Sequence, residues 1–463
     1  MDDPQIERQV NDLVSRARDA QAEAGTWDQD RVDDVVAAVG WQCYREDNSR
    51  RLADLSYAET RLGNVAHLYD THRRRVLGVS RDMRRQATVG VVEEAPDLGI
   101  RRLAKPVGVV AVASPTTAPS TGIVCNVLPI LKTRNAAIVT PNPRARRVAT
   151  ATIDLIRKAL SGAGAPADLV QHFEIPGREA TQRLMAAADL VVATGGPGTT
   201  RRAYTSGTPA IAAGVGNPTI IVDETADISL AARTIQFGAS YNNGTSCSSE
   251  SNVLVHRSVF EEFLAELRRN GAHVCADDEA MRVCGALWPD GRALDRGLIG
   301  LSANEIALAA DVKTDLGDET TLLVVPCADP RLDSPLLWEK LSPVLTVSTF
   351  ESFDEAVDLT RTVLDRCGRG HSCGIHTTRA NRVAALADAV PAVRVVVNQS
   401  TITNTGSFDN GVPFTTILPS GTWGGCSLSE NVTWRHFLNY TTISWTTEKR
   451  VPDEAVIFGA HRK

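Results

Sequence analysis

The chain has no stretch of about 18 uninterrupted apolar residues, so no membrane span is expected. It has no excess of positive charge. The net charge is −6, which leaves no footprint for nucleic acid. Two basic runs occur, Arg73-Arg74-Arg75 and Arg144-Ala145-Arg146-Arg147, but acidic residues surround both along the chain. Solvated helix faces are favoured over a polyanion site. There is no Cys-x-x-Cys pair and no metal-like cluster among the nine cysteines. An odd, scattered set reads as free thiols in a reducing cytosol, with no metal expected and a cytoplasmic location. The start, Met1-Asp2-Asp3-Pro4, lacks the charged-then-apolar form of a secretory signal. Internal repeats and low-complexity linkers are also missing. What is present is ordinary: 463 residues, 43% apolar and 22% charged, enough for about two to four soluble domains.

Residues 5–80 carry helical spacing. It runs over Gln5 to Gln21, with Ile6, Val10, Val14 and Ala17 on one face, then over Arg31 to Cys43 and Ala53 to Tyr69. Residues 87–104 read as a β-hairpin, and Val107 to Ala113 as a strand buried on both faces. Helix-like and strand-like segments then alternate. Ile123 to Leu131, Arg147 to Leu160 and Ala180 to Ala187 are the helices; Ala136 to Val139, Leu169 to Phe173 and Leu190 to Ala193 are the strands. The alternation resumes at Val253 to His256 and continues through Val259 to Asn270, Leu322 to Val325 and Phe353 to Leu364. Such order predicts an α/β fold with parallel sheets.

Five places could carry chemistry. Cys247 follows the polar turn Tyr241-Asn242-Asn243-Gly244-Thr245-Ser246 and precedes the apolar run Val253-Leu254-Val255. A thiol held by a turn near backbone N–H groups suits a nucleophile, although most cysteines are small buried hydrophobes. Thr194-Gly195-Gly196-Pro197-Gly198-Thr199 is a glycine-rich turn between a strand and a helix. It reads as a phosphate cradle or as a plain tight turn. Ser114-Pro115-Thr116-Thr117-Ala118-Pro119 follows a buried strand, where α/β proteins place sites, or else caps the next helix. Glu339, before Ser342-Pro343, is a solvated charge or a site carboxylate. His371 is structural or catalytic.

Together these segments resemble the aldehyde dehydrogenase superfamily, and within it the CoA-acylating branch of propionaldehyde and acetaldehyde dehydrogenases. The likeness spans residues 5–450. It is carried by Pro106 through Pro119, Leu131 through Ala145, Ala193 through Pro209, Gly214-Val215-Gly216-Asn217-Pro218, the Cys247 segment, Glu339 through Pro343, and Gly421-Thr422-Trp423-Gly424-Gly425. The resemblance implies a Rossmann-type NAD-binding domain over 1–240, interrupted by an oligomerisation hairpin at 87–104. It implies a catalytic domain over 241–425, then a return segment over 426–463 with an oligomerisation strand at Leu438 to Ser444. A homodimer or homotetramer follows from the exposed strand edges. By position, Cys247 is the nucleophile and Glu339 holds the nicotinamide ribose. Thr194, Gly195, Gly196, Gly198 and Thr199 lie near the cofactor pyrophosphate, and Thr140, Pro141 and Asn142 near the adenosine ribose. Thr117 stands where hydrolytic relatives carry an oxyanion-binding asparagine, so the Cys247 backbone N–H is the surer donor. His371 matches a histidine placed near CoA or the thiol.

One departure bears on the reaction. Hydrolytic relatives carry a water-activating glutamate where this chain has Gly214. Loss of a carboxylate base commonly costs roughly 10²–10⁴-fold, so an acyl-enzyme should last until CoA arrives. The implied reaction is aldehyde + NAD⁺ + CoA to acyl-CoA + NADH. A hydrolytic aldehyde or semialdehyde dehydrogenase with another base, and a catalytically silent paralogue, are the alternatives. Glu250 is the candidate base of the first, but three residues past the thiol it should point into the strand. The acyl pocket is expected from Thr245, Ser246, Ser248 and the polar loop Thr401 to Pro413. That loop suits a short aldehyde bearing a hydroxyl, amino or sulfonate group.

Overall fold

The computed structural model describes residues 4–173 and 177–462, so the acidic start Met1-Asp2-Asp3 lies outside the described residues. Four N-terminal helices come first: Pro4–Ala24, Gln29–Tyr44, Glu46–Thr60 and Val65–Met83. The continuous helical spacing over Ala53 to Tyr69 is broken in the structure. Arg61 and Gly63 take left-handed backbone, and the Asn64 side chain caps the next helix by accepting from Ala66 and His67 N–H. The break is local chemistry, Gly63-Asn64, overriding a run of suitable spacing.

β1 (Gly90–Ala95) and β2 (Ile100–Pro106) form the expected hairpin. Next comes a five-stranded parallel sheet. It contains β3 (Val109–Ala113), β4 (Ala136–Thr140), β5 (Val170–His172), β6 (Leu190–Thr194) and β7 (Ala210–Ala213), in the order β5-β4-β3-β6-β7. Every residue of β3 and β4 is buried, as a parallel sheet covered on both faces requires. The chain runs outward from β3 to β5, then crosses back to β6. Strand order therefore reverses between β3 and β6, and a crevice opens outside their carboxyl ends.

The second sheet has seven parallel strands: β8 (Thr219–Val222), β9 (Asn252–His256), β10 (Ala272–Val274), β11 (Leu322–Pro326), β12 (Val344–Phe350), β13 (Cys373–His376) and β14 (Val395–Val397). Their order is β10-β11-β12-β9-β8-β13-β14. The passage between sheets falls between Ala213 and Thr219, upstream of the division expected at 240. The helix Ile228–Ser240 packs with the second sheet, its Ala231, Ala232 and Ile235 sharing a core with Val253 and Val347. Last, β15 (Leu438–Ser444) pairs antiparallel with β2. All nine cysteines are free thiols. No described helix is long and apolar enough to cross a membrane.

Candidate active site

The two sheets present opposite ends to one cavity of about 780 Å³, within the usual range of ligand sites. The five-stranded sheet offers the loops after its strands. Ser114 to Ser120 follow β3, Thr140 to Arg144 end and follow β4, and Thr194 to Thr199 end and follow β6; all line the cavity. The seven-stranded sheet offers the loops before its strands. Gly214 precedes β8, Cys247 precedes β9 and Glu339 precedes β12, and these three strands are neighbours in the order β12-β9-β8. Parallel pairing thus gathers at one edge three segments scattered over more than a hundred residues of sequence.

The turn before Cys247 is strained and well fastened. Asn242 and Asn243 are both left-handed, with φ of 50° and 54°. Asparagine tolerates this better than most residues. Asn242 Oδ1 accepts from Asn64 N–H at 3.0 Å, and Asn243 Nδ2 donates to the carbonyls of Gly63 at 3.1 Å and Gly300 at 2.9 Å. Gly244, at φ 65°, lies so close to Ser342 that a Cβ would stand 2.5 Å from its carbonyl oxygen. Ser249 N–H then closes a turn onto Ser246 O at 2.9 Å, leaving Cys247 at its crest. The Cys247 N–H meets no acceptor among the described residues. The Lys340 ammonium, fully buried, donates to Ser251 O and Oγ at 3.0 Å and to Trp338 O at 3.2 Å. It ties the Glu339 loop to the strand that follows the nucleophile turn. Burial pushes its pKa down to about 7.

Burial, then the Glu339 carboxylate, push the Cys247 thiol up to about 11, while the Arg75 and Arg394 guanidinium groups pull it down. Burial also pushes the Glu339 carboxyl up to about 7. Gly216 joins the two groups. Its N–H donates to Glu339 Oε1 at 2.8 Å, and a Cβ on it would lie 2.1 Å from Cys247 O. Only glycine fits between them.

Of the residues singled out in the sequence, Cys247, Thr117, Thr140, Pro141, Asn142, Thr194, Gly195, Gly196, Gly198, Thr199, Glu339, Thr245 and Ser246 all line the cavity. Ser248 and His371 do not. Ser248 is fully buried beneath the turn, and its carbonyl accepts from Thr401 Oγ1 at 2.7 Å. His371 precedes β13, one strand beyond β8, and is buried. Burial, then Arg394, push its pKa down to about 3. Its Nδ1 pairs with Ser372 Oγ at 2.9 Å and its Nε2 has no partner. From the loop Thr401 to Pro413 only Ile402 and Thr405 reach the wall. Ser120 makes no capping hydrogen bond to the helix Thr121–Lys132, so the segment after β3 is used as wall rather than as a cap.

Among the described residues, Glu339 is the one carboxylate on the cavity wall. Gly214 faces the cavity with no side chain to offer. Glu250 is buried away from it, its Oε1 accepting from Thr401 N–H at 2.7 Å. The glycine-rich turn fits an anionic ligand. The N–H groups of Gly196 and Gly198 meet no acceptor among the described residues, and Thr194 Oγ1 is buried without a partner.

Sequence reasoning missed Gly216, Arg394 and Arg75. Arg394 sits under the turn, its guanidinium held by Asn431 Oδ1 at 2.8 Å and Pro419 O at 3.1 Å. Arg75 and Arg144, read as members of solvated runs, line the cavity. The helical spacing Leu68, Thr71, Arg75 was the available signal for Arg75. His273, Cys275 and Glu279 also cluster, on the far edge of the second sheet. There His273 Nε2 pairs with Glu279 Oε2 at 3.3 Å.

The aldehyde dehydrogenase family profile matches residues 5–422. The chain is 38% identical to the acylating sulfoacetaldehyde dehydrogenase of Bilophila wadsworthia, covering 96% of each protein. It is 35% identical to the acetylating succinate-semialdehyde dehydrogenase of Clostridium kluyveri, covering 97% of this chain and 99% of the other. The crystal structure of an acetylating aldehyde dehydrogenase from Geobacillus thermoglucosidasius superposes with a TM-score of 0.92 at 29% identity, covering 97% and 99%.

Proposed function

The chain belongs to the aldehyde dehydrogenase family, and from that premise we propose a CoA-acylating enzyme that oxidises a short, polar-substituted aldehyde to acyl-CoA. The observation that carries the reading is the cavity wall. It holds a cysteine nucleophile and, where hydrolytic relatives keep their base, Gly214.

Cys247 Sγ adds to the aldehyde carbon, and the free Cys247 N–H donates to the oxyanion that forms. Thr117, on the same wall, is a second candidate donor. A nicotinamide dinucleotide, when bound, supplies the hydride acceptor that turns the thiohemiacetal into a thioester. The residues to hold it are Thr194, Gly195, Gly196, Gly198 and Thr199 at the pyrophosphate, Thr140, Pro141 and Asn142 at the adenosine ribose, and Glu339 at the nicotinamide ribose. The Cys247 thioester then meets the CoA thiol, which takes the acyl group and returns the cysteine. No carboxylate stands at Gly214 to activate water against it.

Residues up to Ala213 serve the cofactor, those from Thr219 to about 425 the chemistry, and 426–463 return to the hairpin. The β1-β2-β15 sheet is proposed as the oligomerisation element of a dimer or tetramer. Tyr440, Ile443 and Trp445 stand exposed at its outer edge. A cytoplasmic location fits the free thiols.

The hydrolytic alternative has one observation in its favour, the Glu339 carboxyl held near pH 7. Product analysis separates the two. With purified enzyme, an aldehyde and NAD⁺, NADH should appear only when CoA is added, and mass spectrometry should find acyl-CoA. Free carboxylate formed equally fast without CoA would overturn the acylating reading.

A further inference from the structure

The helix Val65–Met83 turns one face to the cavity, with Leu68, Thr71 and Arg75 at positions i, i+3 and i+7 on its wall. The other charged groups nearby on this helix have partners, Arg74 by lying over the Phe414 ring at 6.0 Å. Arg73 donates to Tyr44 O at 3.0 Å and stacks over the Tyr44 ring. Asp70 accepts from Tyr241 Oη at 2.6 Å. Arg75 has no such commitment. Its Nε is buried without a partner, and none of its nitrogens makes a hydrogen bond or ion pair among the described residues. Glu339, the one wall carboxylate, is engaged by Gly216. Arg75 is partly buried on the cavity wall, and a guanidinium with no partner in the protein presents a fork that matches two oxygens of one anion.

Its position says which anion. Arg144, Arg178 and Arg296 also line the cavity, but they are exposed, and Arg202 donates to Thr199 Oγ1 at 3.2 Å beside the glycine-rich turn. Arg75 instead stands with Tyr241, Thr245 and Cys247. Its helix is fastened to the nucleophile turn through Tyr241 and its guanidinium acts on the Cys247 thiol. We propose that Arg75 anchors an anionic group, sulfonate or carboxylate, on the aldehyde bound to Cys247, so that the enzyme selects negatively charged aldehydes. This rests on the acylating reading above and names its substrate class. A neutral aldehyde leaves the cation unpaired, an anionic one pairs it, and the difference is the specificity.

The test compares kcat/KM for sulfoacetaldehyde, succinate semialdehyde and propionaldehyde, with NAD⁺ and CoA, in wild type, Arg75→Met and Arg75→Lys. Wild type should prefer an anionic aldehyde. The anionic-to-neutral ratio should fall roughly 10–100-fold in Arg75→Met and recover in part in Arg75→Lys. Whichever anionic aldehyde loses more identifies the group read. A role in structure alone would lower all three values together. That result, or a wild type indifferent to charge, would overturn the proposal while leaving CoA-dependent acyl-CoA formation intact. Loss of CoA dependence in wild type would instead sink the acylating reading. Should Arg75→Met fail to fold, wild type still decides. Isethionate should compete with the aldehyde where ethanol does not, and no competition by isethionate would refute the assignment.

Discussion

Replacing Glu339 by glutamine should make Cys247 more reactive in the cofactor-free enzyme. The carboxylate and the nucleophile both abut Gly216: its N–H lies 2.8 Å from Glu339 Oε1, and a Cβ built on it would lie 2.8 Å from Cys247 Cβ. One glycine thus separates them, a charge-to-sulfur distance of roughly 7 Å. At that distance a unit charge acts with about 0.6 kcal/mol at the dielectric of water and about 2.4 kcal/mol at an effective dielectric near 20. At about 1.4 kcal/mol per pKa unit, Glu339→Gln should lower the thiol pKa by about one unit. The thiol starts at about 11, so little thiolate exists at pH 8, and the variant should hold about tenfold more. The sign depends on pH. The Glu339 carboxyl titrates at about 7, so its repulsion acts above that value and vanishes below it. Iodoacetamide modification of the Cys247 peptide, followed by mass spectrometry from about pH 5.5 to 9.5, reads this directly. The two profiles should converge below about pH 6 and separate above pH 7, the variant faster. Superimposed profiles at high pH, or a slower variant, would refute the coupling.

Other outcomes follow from the same geometry. Cys247→Ala should abolish aldehyde oxidation and acyl transfer, while Cys125→Ala and Cys426→Ala are much milder; substantial turnover in Cys247→Ala would displace it as nucleophile. Gly216→Ala puts a methyl against the Cys247 carbonyl, so kcat should fall about 10²-fold with about 1–3 kcal/mol lost in stability; unchanged kcat would mean the turn is free to move. Burial raises the Glu250 carboxyl to about 7, so the folded state binds the extra proton between about pH 4.5 and 7 and stability falls as pH rises through that window. Glu250→Gln keeps the acceptor for Thr401 N–H, and should melt higher than wild type at pH 8 by up to about 3 kcal/mol, the gap closing below about pH 5; a lower melting temperature at pH 8 would contradict this. NAD⁺ should be preferred to NADP⁺ by kcat/KM, and a preference for NADP⁺ that disappears in Arg144→Ala would assign Arg144 to the 2′-phosphate.

Where burial alone dictates structure, the sequence is readable. The apolar run before Ser114 becomes β3 with every residue buried, and the run after Cys247 becomes β9. β7 escaped notice because Ala-Ile-Ala-Ala has little β preference, and β10 and β14 are three residues each. The nucleophile turn and the glycine-rich turn are legible because their chemistry is local. Arg75 is legible only in part: its spacing from Leu68 and Thr71 puts the three on one helix face, but whether that face meets the cavity depends on how the helix is rotated against its neighbours. His371 shows the reverse case: a motif match does not say whether a ring reaches the wall or stays one strand behind it.

The fastening of the nucleophile turn also sets when the enzyme becomes an enzyme. Asn242 and Asn243 hold their left-handed shape through contacts 178, 180 and 57 residues away in the chain. Closing a loop of that greater length costs roughly 4–5 kcal/mol before any contact repays it. Two consecutive left-handed asparagines cost more, so the turn has no reason to form alone. During refolding, helices and sheets should therefore regain their far-ultraviolet signal before Cys247 regains its slow native reactivity toward iodoacetamide. The chain should pass through a stage in which its nucleophilic thiol is exposed and not yet restrained, and a scavenging thiol in the buffer should raise the yield of active protein.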